Sequence, residues 1–361
     1  MTSANVNSQP LEGKRILVTG GTGSLGQVLI RRLLGGEIGN AGRIVVFSRD
    51  EAKQHAMRIE YQHGRESTDE VIYRNFEKRL QFRIGDVRDL HSVSAALRDV
   101  DVVVNAAALK QVPTCEYFPF EAVLTNITGP ENIIRAIQEQ RLPVETVVGV
   151  STDKACKPVN VMGMTKALQE RIFIEANMRC PETRFICVRY GNVLASRGSV
   201  IPLFHEQIRN GGPVTITTPE MTRFLLSLDH AVDTIFAAIR FGRRGETYVP
   251  HALSANMVDL AKALIDDRKI ELTVTGVRPG EKTHEILVSE EECHRTQRRG
   301  DFYAIAPILP ELREADASKD PLGKEYSSAD WVMQPDALGE MLRRHRLMPD
   351  DVNPANGEFL R

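Results

Sequence analysis

The sequence predicts an α/β protein, a doubly wound parallel sheet followed by a smaller carboxyl-terminal lobe. Three observations predict it. Short apolar runs alternate with helical stretches up to about residue 193, the pattern of strands covered on both faces by crossover helices. The first run leads into the glycine-rich "TGGTGSLG" (19–26), placed where a strand turns tightly into a helix. Past residue 193 the rhythm breaks into short segments, turns and prolines.

In chain order, "RILVTG" (15–20) reads as the first strand, and "SLGQVLIRRLL" (24–34) as a helix with Leu25, Val28, Leu29 and Leu33 on one face. "RIVVFSR" (43–49) and "EAKQHAMRIEYQ" (51–62) repeat the pair. "LQFRIGD" (80–86), "DVVVNAAA" (101–108) and "ETVVGVST" (145–152) are further buried strands, with helical stretches between them that include 119–140. A long helix spans 161–179 and a sixth strand 184–193; beyond them "VTITTP" (214–219) and "ELTVTG" (271–276) read as isolated strands. The organisation expected is a disordered arm 1–12, a Rossmann-type domain 13–193, a substrate lobe 194–345 from which the chain can cross back to the sheet, and a loose tail 346–361.

The 361 residues carry a formal net charge of -2, so no basic field suggests nucleic acid. No apolar run approaches the roughly 20 residues that span a bilayer, and the polar start lacks the apolar core of a secretory signal. Five scattered cysteines, without CxxC spacing, signal neither a disulfide framework nor zinc. The nine histidines form no metal motif. A cytoplasmic protein with no resident metal is expected.

Gly20, Gly23 and Gly26, with Thr22, Ser24 and Leu25 between them, let the backbone approach a pyrophosphate at a helix N-terminus. The second strand ends "FSRDEAK". Ser48, Arg49 and Lys53 suit the 2′-phosphate of NADP, guanidinium by geometry as well as charge; Asp50 keeps NAD as the alternative. Asp86 and Val87 of "GDVRD" can flank the adenine, and Ala106, Ala107 and Ala108 are small residues where the cofactor must pass.

These segments, with "AAALKQVPTCEYFPFEAVLTN", "STDKACKPVNVMGMTK", "VRYGNV", "GSVIPLF", "MTRF" and "GVRPGEKTHE", resemble the extended short-chain dehydrogenases that act as UDP-N-acetylglucosamine 4,6-dehydratases in bacterial surface-glycan pathways. The resemblance covers about residues 12–345. Such enzymes oxidise C4 of the sugar, remove the C5 proton, expel the C6 hydroxyl as water and return the hydride to C6, leaving a 4-keto-6-deoxy sugar with or without inversion at C5. Lys166 matches the lysine of the family, but Met162 stands four residues before it, where one branch has tyrosine and another methionine.

The resemblance implies that Asp153 protonates the departing O6 and that Lys154 is the base at C5, each with a shifted pKa. Lys166 would hold the ribose and supply a cation that keeps Lys154 neutral. Thr152 and Ser151 would bond the O4 region. Met162 cannot take the O4 proton, so Asp153, directly or through water, or Lys166 through water, must do so. Lys110 matches a lysine near the substrate diphosphate, and Asn126 a kink residue near the cofactor. Asn192, Arg223, Arg278 and Glu281 would contact phosphate or ribose, and uridine would meet backbone near Val200 and Pro202. A homo-oligomer is expected from the resemblance alone. The segment 63–79 is longer than the family's turn. A UDP-sugar 4-epimerase on the same fold, and a silent NADP-sensing protein, are the alternatives.

Overall fold

The computed structural model describes residues 9–63, 78–194, 199–313 and 321–351. Most of the insertion at 63–79 therefore lies outside the described residues, as do 1–8, 195–198 and 352–361. The arm's last residues are anchored: Leu11 is fully buried, and its N–H donates to the Ile38 carbonyl at 3.0 Å. At the other end Leu347 is buried in the lobe.

The strands β1 (Arg15–Thr19), β2 (Arg43–Ser48), β3 (Leu80–Ile84), β4 (Val102–Asn105), β5 (Thr146–Thr152) and β6 (Arg184–Tyr190) lie in the order β3-β2-β1-β4-β5-β6, all parallel. Their alternation sorts side chains to two faces. Ile16 and Val18 of β1 join one apolar cluster and Leu17 the other. The helix α1 (Ser24–Leu34) covers the first face; the helices Leu90–Leu97, Gly129–Gln140 and Val161–Arg179 cover the second. The strand order reverses between β1 and β4, and ligands of such sheets bind at the carboxyl ends beside that switch.

The chain does cross back. Thr247–Pro250 extends the sheet parallel to β6, and Phe302–Ile305 and Thr296–Arg299 close it antiparallel, giving nine strands. Leu228–Phe241 is a 14-residue helix with Ala231, Val232, Ile235 and Ile239 in the first-face core. The sequence reading saw only short segments here. A four-residue strand such as "TYVP" is too short to show a period, whereas the helix carries an apolar stripe that the sequence reading does not use. The remaining lobe has its own core, built around Phe204, Val214, Leu225, Leu260, Leu264 and Leu338. Among the described residues no helix is long and apolar enough to cross a membrane, and no cluster of His, Cys, Asp or Glu could hold a metal.

A buried ion network ties the halves together. Arg189 of β6 reaches Glu170 on the helix Val161–Arg179 and Glu292 on the short helix Glu290–Cys293, both at 2.6 Å. All three residues are buried. Burial alone would push Glu292 up, but the charge and hydrogen bonds of Arg189 prevail and hold it at about 2. The stability this contributes is fully present above the ordinary value of 4.5 and is lost as pH falls through about 2. Arg189→Met strips Glu170 of its bidentate partner and leaves Glu292, among the described residues, with only Arg295 at 3.6 Å as countercharge, and should cost about 3–5 kcal/mol. Urea unfolding as a function of pH checks this. The wild type should lose stability as pH falls below 4.5, and its lead over the variant should narrow across the same window.

Candidate active site

The carboxyl ends of the central strands open on a cleft of about 1060 Å³ that runs from the glycine loop to Arg278–Glu281. At one end Gly20 has φ +66°, and a Cβ there would sit 2.8 Å from the Ala107 nitrogen. Only glycine allows this turn and this approach to β4. Gly23 caps α1 without a side-chain bond, so the first N–H groups of the helix remain available to an anion. The Thr125 hydroxyl on the cleft wall is buried and has no hydrogen-bond partner among the described residues. A glycine cradle, an unspent helix N-terminus and an orphaned hydroxyl fit a pyrophosphate-bearing dinucleotide.

Gly20, Thr22, Gly23, Ser24, Leu25 and Gly26 all line this end. So do Ala106, Ala107 and Ala108 of the loop after β4, with Val87 beside them. Ser48, Arg49 and Lys53 line it too, but not equally available. The Ser48 hydroxyl is engaged by Thr22 and Gln54, each at 3.2 Å. Lys53 is 2.6 Å from Asp50, whereas Arg49 is half-exposed and lies 3.8 Å from Asp86. Asp86 does not reach the cleft wall. Burial pushes its carboxyl up, but Arg88, bonded through its backbone N–H and guanidinium, holds it below the ordinary range.

At the other end β5 runs into a short turn, Asp153–Ala155. Thr152 and Lys154 stand on the wall; Asp153 between them is fully buried. The Asp153 Oδ1 accepts from the Thr152 hydroxyl at 2.9 Å and from the Lys154 ammonium at 3.0 Å. Its Oδ2 has no hydrogen-bond partner among the described residues. The expectation that the carboxyl itself faces the cleft is thus corrected: it sits one layer behind, reached through its neighbours. The helix that carries Met162 and Lys166 is locked to this turn by Gly163, where any Cβ would collide with the Lys154 carbonyl. Asn160 caps that helix at Gly163 and donates to the Gly280 carbonyl, both at 2.8 Å.

Two charge expectations are reversed. Burial pulls the Lys154 amine down, but Asp153 and Glu285 together raise it above its ordinary value, with Arg223 opposing them. The leading charges on it are those of Asp153, Glu285 and Arg223, not Lys166. The Lys166 Nζ donates to the Val150 carbonyl and Gln169, and burial lowers its amine to about 8, against the pull of Cys187 and Glu170. Met162 is buried against Cys115 and Ala122. Ser151 gives its hydroxyl to Glu170 rather than to the cleft.

Lys110, Asn192, Arg278 and Glu281 line the cleft, and Asn192 accepts from Lys154 at 3.2 Å. Arg223 does not line it: the guanidinium is buried and donates to the carbonyls of Thr222, Lys282 and Thr283. Asn126 is fully buried in the π-helical turn Leu124–Thr128 and holds the Leu109 backbone with both amide atoms. It shapes the loop beside the cofactor end without touching the cleft. Val200 and Pro202 are off the wall, Val200 packing toward the lobe core; Gly198 lies outside the described residues. The reading of the residues passed over Glu285, whose carboxylate is 3.3 Å from Lys154. Its signal was present in "GEKTHE", but nothing local says that a distant glutamate returns to β5.

A parallel sheet in this order, with a glycine turn between β1 and the first helix, defines the doubly wound class of α/β protein that holds a dinucleotide at its strand ends. The profile of a family described as "Polysaccharide biosynthesis protein" matches residues 16–307, and the chain belongs to that family. A protein of Rickettsia conorii named UDP-glucose 4-epimerase is 46% identical over 297 residues, covering 81% of this chain and 82% of that one. The solved structure of Pen from Bacillus thuringiensis superposes with a TM-score of 0.82 at 31% identity, over 94% of this chain and 99% of that one. A dTDP-glucose 4,6-dehydratase from Streptomyces venezuelae with NAD and TYD bound gives 0.62 at 22% identity, over 74% and 86%, a likeness of fold.

Gly20→Val should abolish any rise in melting temperature that NADP or NAD gives the wild type, and should itself destabilise the protein by at least ~1 kcal/mol from left-handed backbone strain. Thermal unfolding with and without dinucleotide measures both.

Proposed function

We propose that the chain is a nucleotide-sugar-modifying enzyme, specifically a UDP-N-acetylglucosamine 4,6-dehydratase that uses NADP. The observation that carries this reading is the Thr152–Asp153–Lys154 turn: a hydroxyl and an amine on the cleft wall joined through one buried carboxylate. Arg49, with Lys53, would hold the 2′-phosphate, and the Gly20–Gly26 loop the pyrophosphate. A bound nicotinamide dinucleotide supplies the place where a hydride from C4 is held before its return to C6.

The protein's own residues manage protons. Met162 offers neither donor nor acceptor of use, and its packing explains why: it fills an apolar niche. A sugar hydroxyl donating to Thr152 completes a chain, because the Thr152 hydroxyl already donates to Asp153. The O4 proton thus reaches Asp153 through Thr152, and Asp153 can return it to the departing O6 by the same path. Lys154 is the base at C5. Lys110 and Arg278 suit the diphosphate, and Glu281 the uridine ribose; Arg223 keeps a structural task on the loop that bears them.

A second reading, UDP-sugar 4-epimerase, is favoured by the name given to the Rickettsia relatives. Incubation with UDP-N-acetylglucosamine in deuterium oxide separates the two. Dehydration gives a product lighter by one water with solvent deuterium at C5; an epimer keeps its mass and its C5 proton, and that result would sink the dehydratase reading. Asp153→Asn and Thr152→Val should each lower the rate of C4 oxidation about 10²–10⁴-fold, while Met162→Leu keeps most of it. Arg49→Ala should weaken NADP about tenfold or more through one lost charge-assisted contact and leave NAD nearly unchanged, by titration calorimetry.

A further inference from the structure

Lys154 enters the site as an ammonium. Its Nζ lies 3.0 Å from Asp153 Oδ1, 3.2 Å from Asn192 Oδ1 and 3.3 Å from Glu285 Oε1, three acceptors around one amine. An ammonium has no lone pair with which to remove a C5 proton, so it must first lose one to a group within reach. The charged and polar groups around it come from several elements. The turn after β5 gives Asp153, strand Asn192–Val193 gives Asn192, strand Thr222–Leu226 gives Arg223, and the segment before strand Ile286–Val288 gives Lys282 and Glu285. Lys282 and Arg223 are donors committed to backbone carbonyls. An amide such as Asn192 does not accept a proton at ordinary pH. On the dehydratase reading Asp153 has already received the O4 proton. Glu285 remains.

Glu285 is placed for this. It is 3% exposed, with Oε1 toward Lys154. Its Oε2 is buried without a hydrogen-bond partner among the described residues, and the Lys282 ammonium stands 3.9 Å away. The backbone is fixed on both sides: the Glu285 N–H donates to Ser328 Oγ at 3.0 Å, and its carbonyl accepts from the Ser328 N–H at 2.8 Å. Ile286–Val288 then pairs with Tyr326–Ser327.

We propose that Glu285 is the proton store of Lys154, taking the ammonium proton so that the amine can act at C5 and returning it at the end of each turnover. This rests on the dehydratase reading. The cycle balances. Asp153 and Glu285 start as carboxylates and Lys154 as ammonium. The O4 proton passes through Thr152 to Asp153, and the hydride lost at C4 is the one regained later at C6. An N–H bond of Lys154 breaks and an O–H bond forms on Glu285. The C5–H bond breaks toward the Lys154 nitrogen. Its electron pair forms the C5–C6 double bond as the C6–O6 bond breaks, and O6 leaves as water with the proton from Asp153. Hydride arrival at C6 pushes electrons back toward C5, which takes a proton from Lys154. Glu285 then recharges the amine. The sugar has lost one water, and every side chain has its starting charge.

The test compares wild type, Glu285→Gln and Glu285→Asp in the full chain with UDP-N-acetylglucosamine. In the Gln variant, water loss and deuterium entry at C5 should slow about 10²-fold or more, the range for losing one proton-transfer partner. C4 oxidation, followed as a burst of reduced nicotinamide absorbance, should stay close to wild type, and the Asp variant should recover a substantial part of the lost rate. Independently of turnover, the pH midpoint for acetylation of Lys154 by acetic anhydride, read by peptide mass, should fall in the Gln variant. Dehydration by the Gln variant at the wild-type rate would overturn the store alone. So would a parallel loss of oxidation and dehydration with an unmoved Lys154 midpoint, which marks a structural role. If the wild type itself yields only a C4 epimer, the dehydratase reading and the store fall together.

Discussion

The site depends on the pairing of one ammonium with two carboxylates drawn from distant segments of the chain. Lys154 on the cleft wall is held by Asp153 beside it in sequence and by Glu285 from far downstream. Both carboxylates are out of solvent, and taking such groups from water is costly unless each finds a partner. The later chain meets that requirement for Glu285 where it returns to the sheet, packing Leu287 and Val288 into the apolar core beside it. The strand Ile286–Val288, which follows Glu285, leads directly into the capped helix Glu290–Cys293. That helix carries the Glu292 that meets Arg189. One excursion of the chain thus supplies both the second carboxylate of the cleft and the buried ion network beneath it.

The two ion clusters are joined through β5 and the helix that follows it. Ser151 gives its hydroxyl to Glu170; the next residue, Thr152, gives its hydroxyl to Asp153. The end of β5 is thus fastened to the Arg189 network through Ser151 while Val150, Ser151 and Thr152 all reach the cleft wall. Lys166 is held by the carbonyl of Val150, on the same strand. The reacting groups are thereby mounted on a strand and a helix whose separation is fixed by Gly163, which is the kind of rigid support that proton transfer over hydrogen-bond distances requires.

Much of this was legible in the sequence because it is local. The six parallel strands, the glycine loop and the long helix with Met162 and Lys166 each announce themselves by period or by turn chemistry within a window of a few residues. What stayed hidden was set by contacts between distant segments. Glu285, Glu170 and Glu292 look like any glutamates until the fold brings Lys154 and Arg189 to them. Arg223 looks like a phosphate ligand until three backbone carbonyls claim its guanidinium. Lys154 is raised and Lys166 lowered, each against expectation, for the same reason. Both are lysines beside a dinucleotide cleft, and only their acceptors, carboxylates for one and neutral oxygens for the other, separate them.

The methionine at position 162 is consistent with this division of labour. Met162 stands on the cleft wall with its side chain packed on Cys115 and Ala122, so a phenol at that place would bring an oxygen to the cleft that the thioether does not. Placing a thioether there removes the usual acceptor for the O4 proton. On the proposed dehydratase reading the task moves to Thr152 and Asp153, whose hydrogen bond is already formed. On that reading, neutralising Asp153 would take from Lys154 one of its two countercharges and leave the pair with Glu285 as the one across which its own proton could move. The substitution at 162 and the carboxylate at 285 are then two sides of a single constraint, that the net charge of the wall change by no more than one proton at any stage. An enzyme that only inverts C4 has no departing oxygen to protonate and no C5 proton to remove.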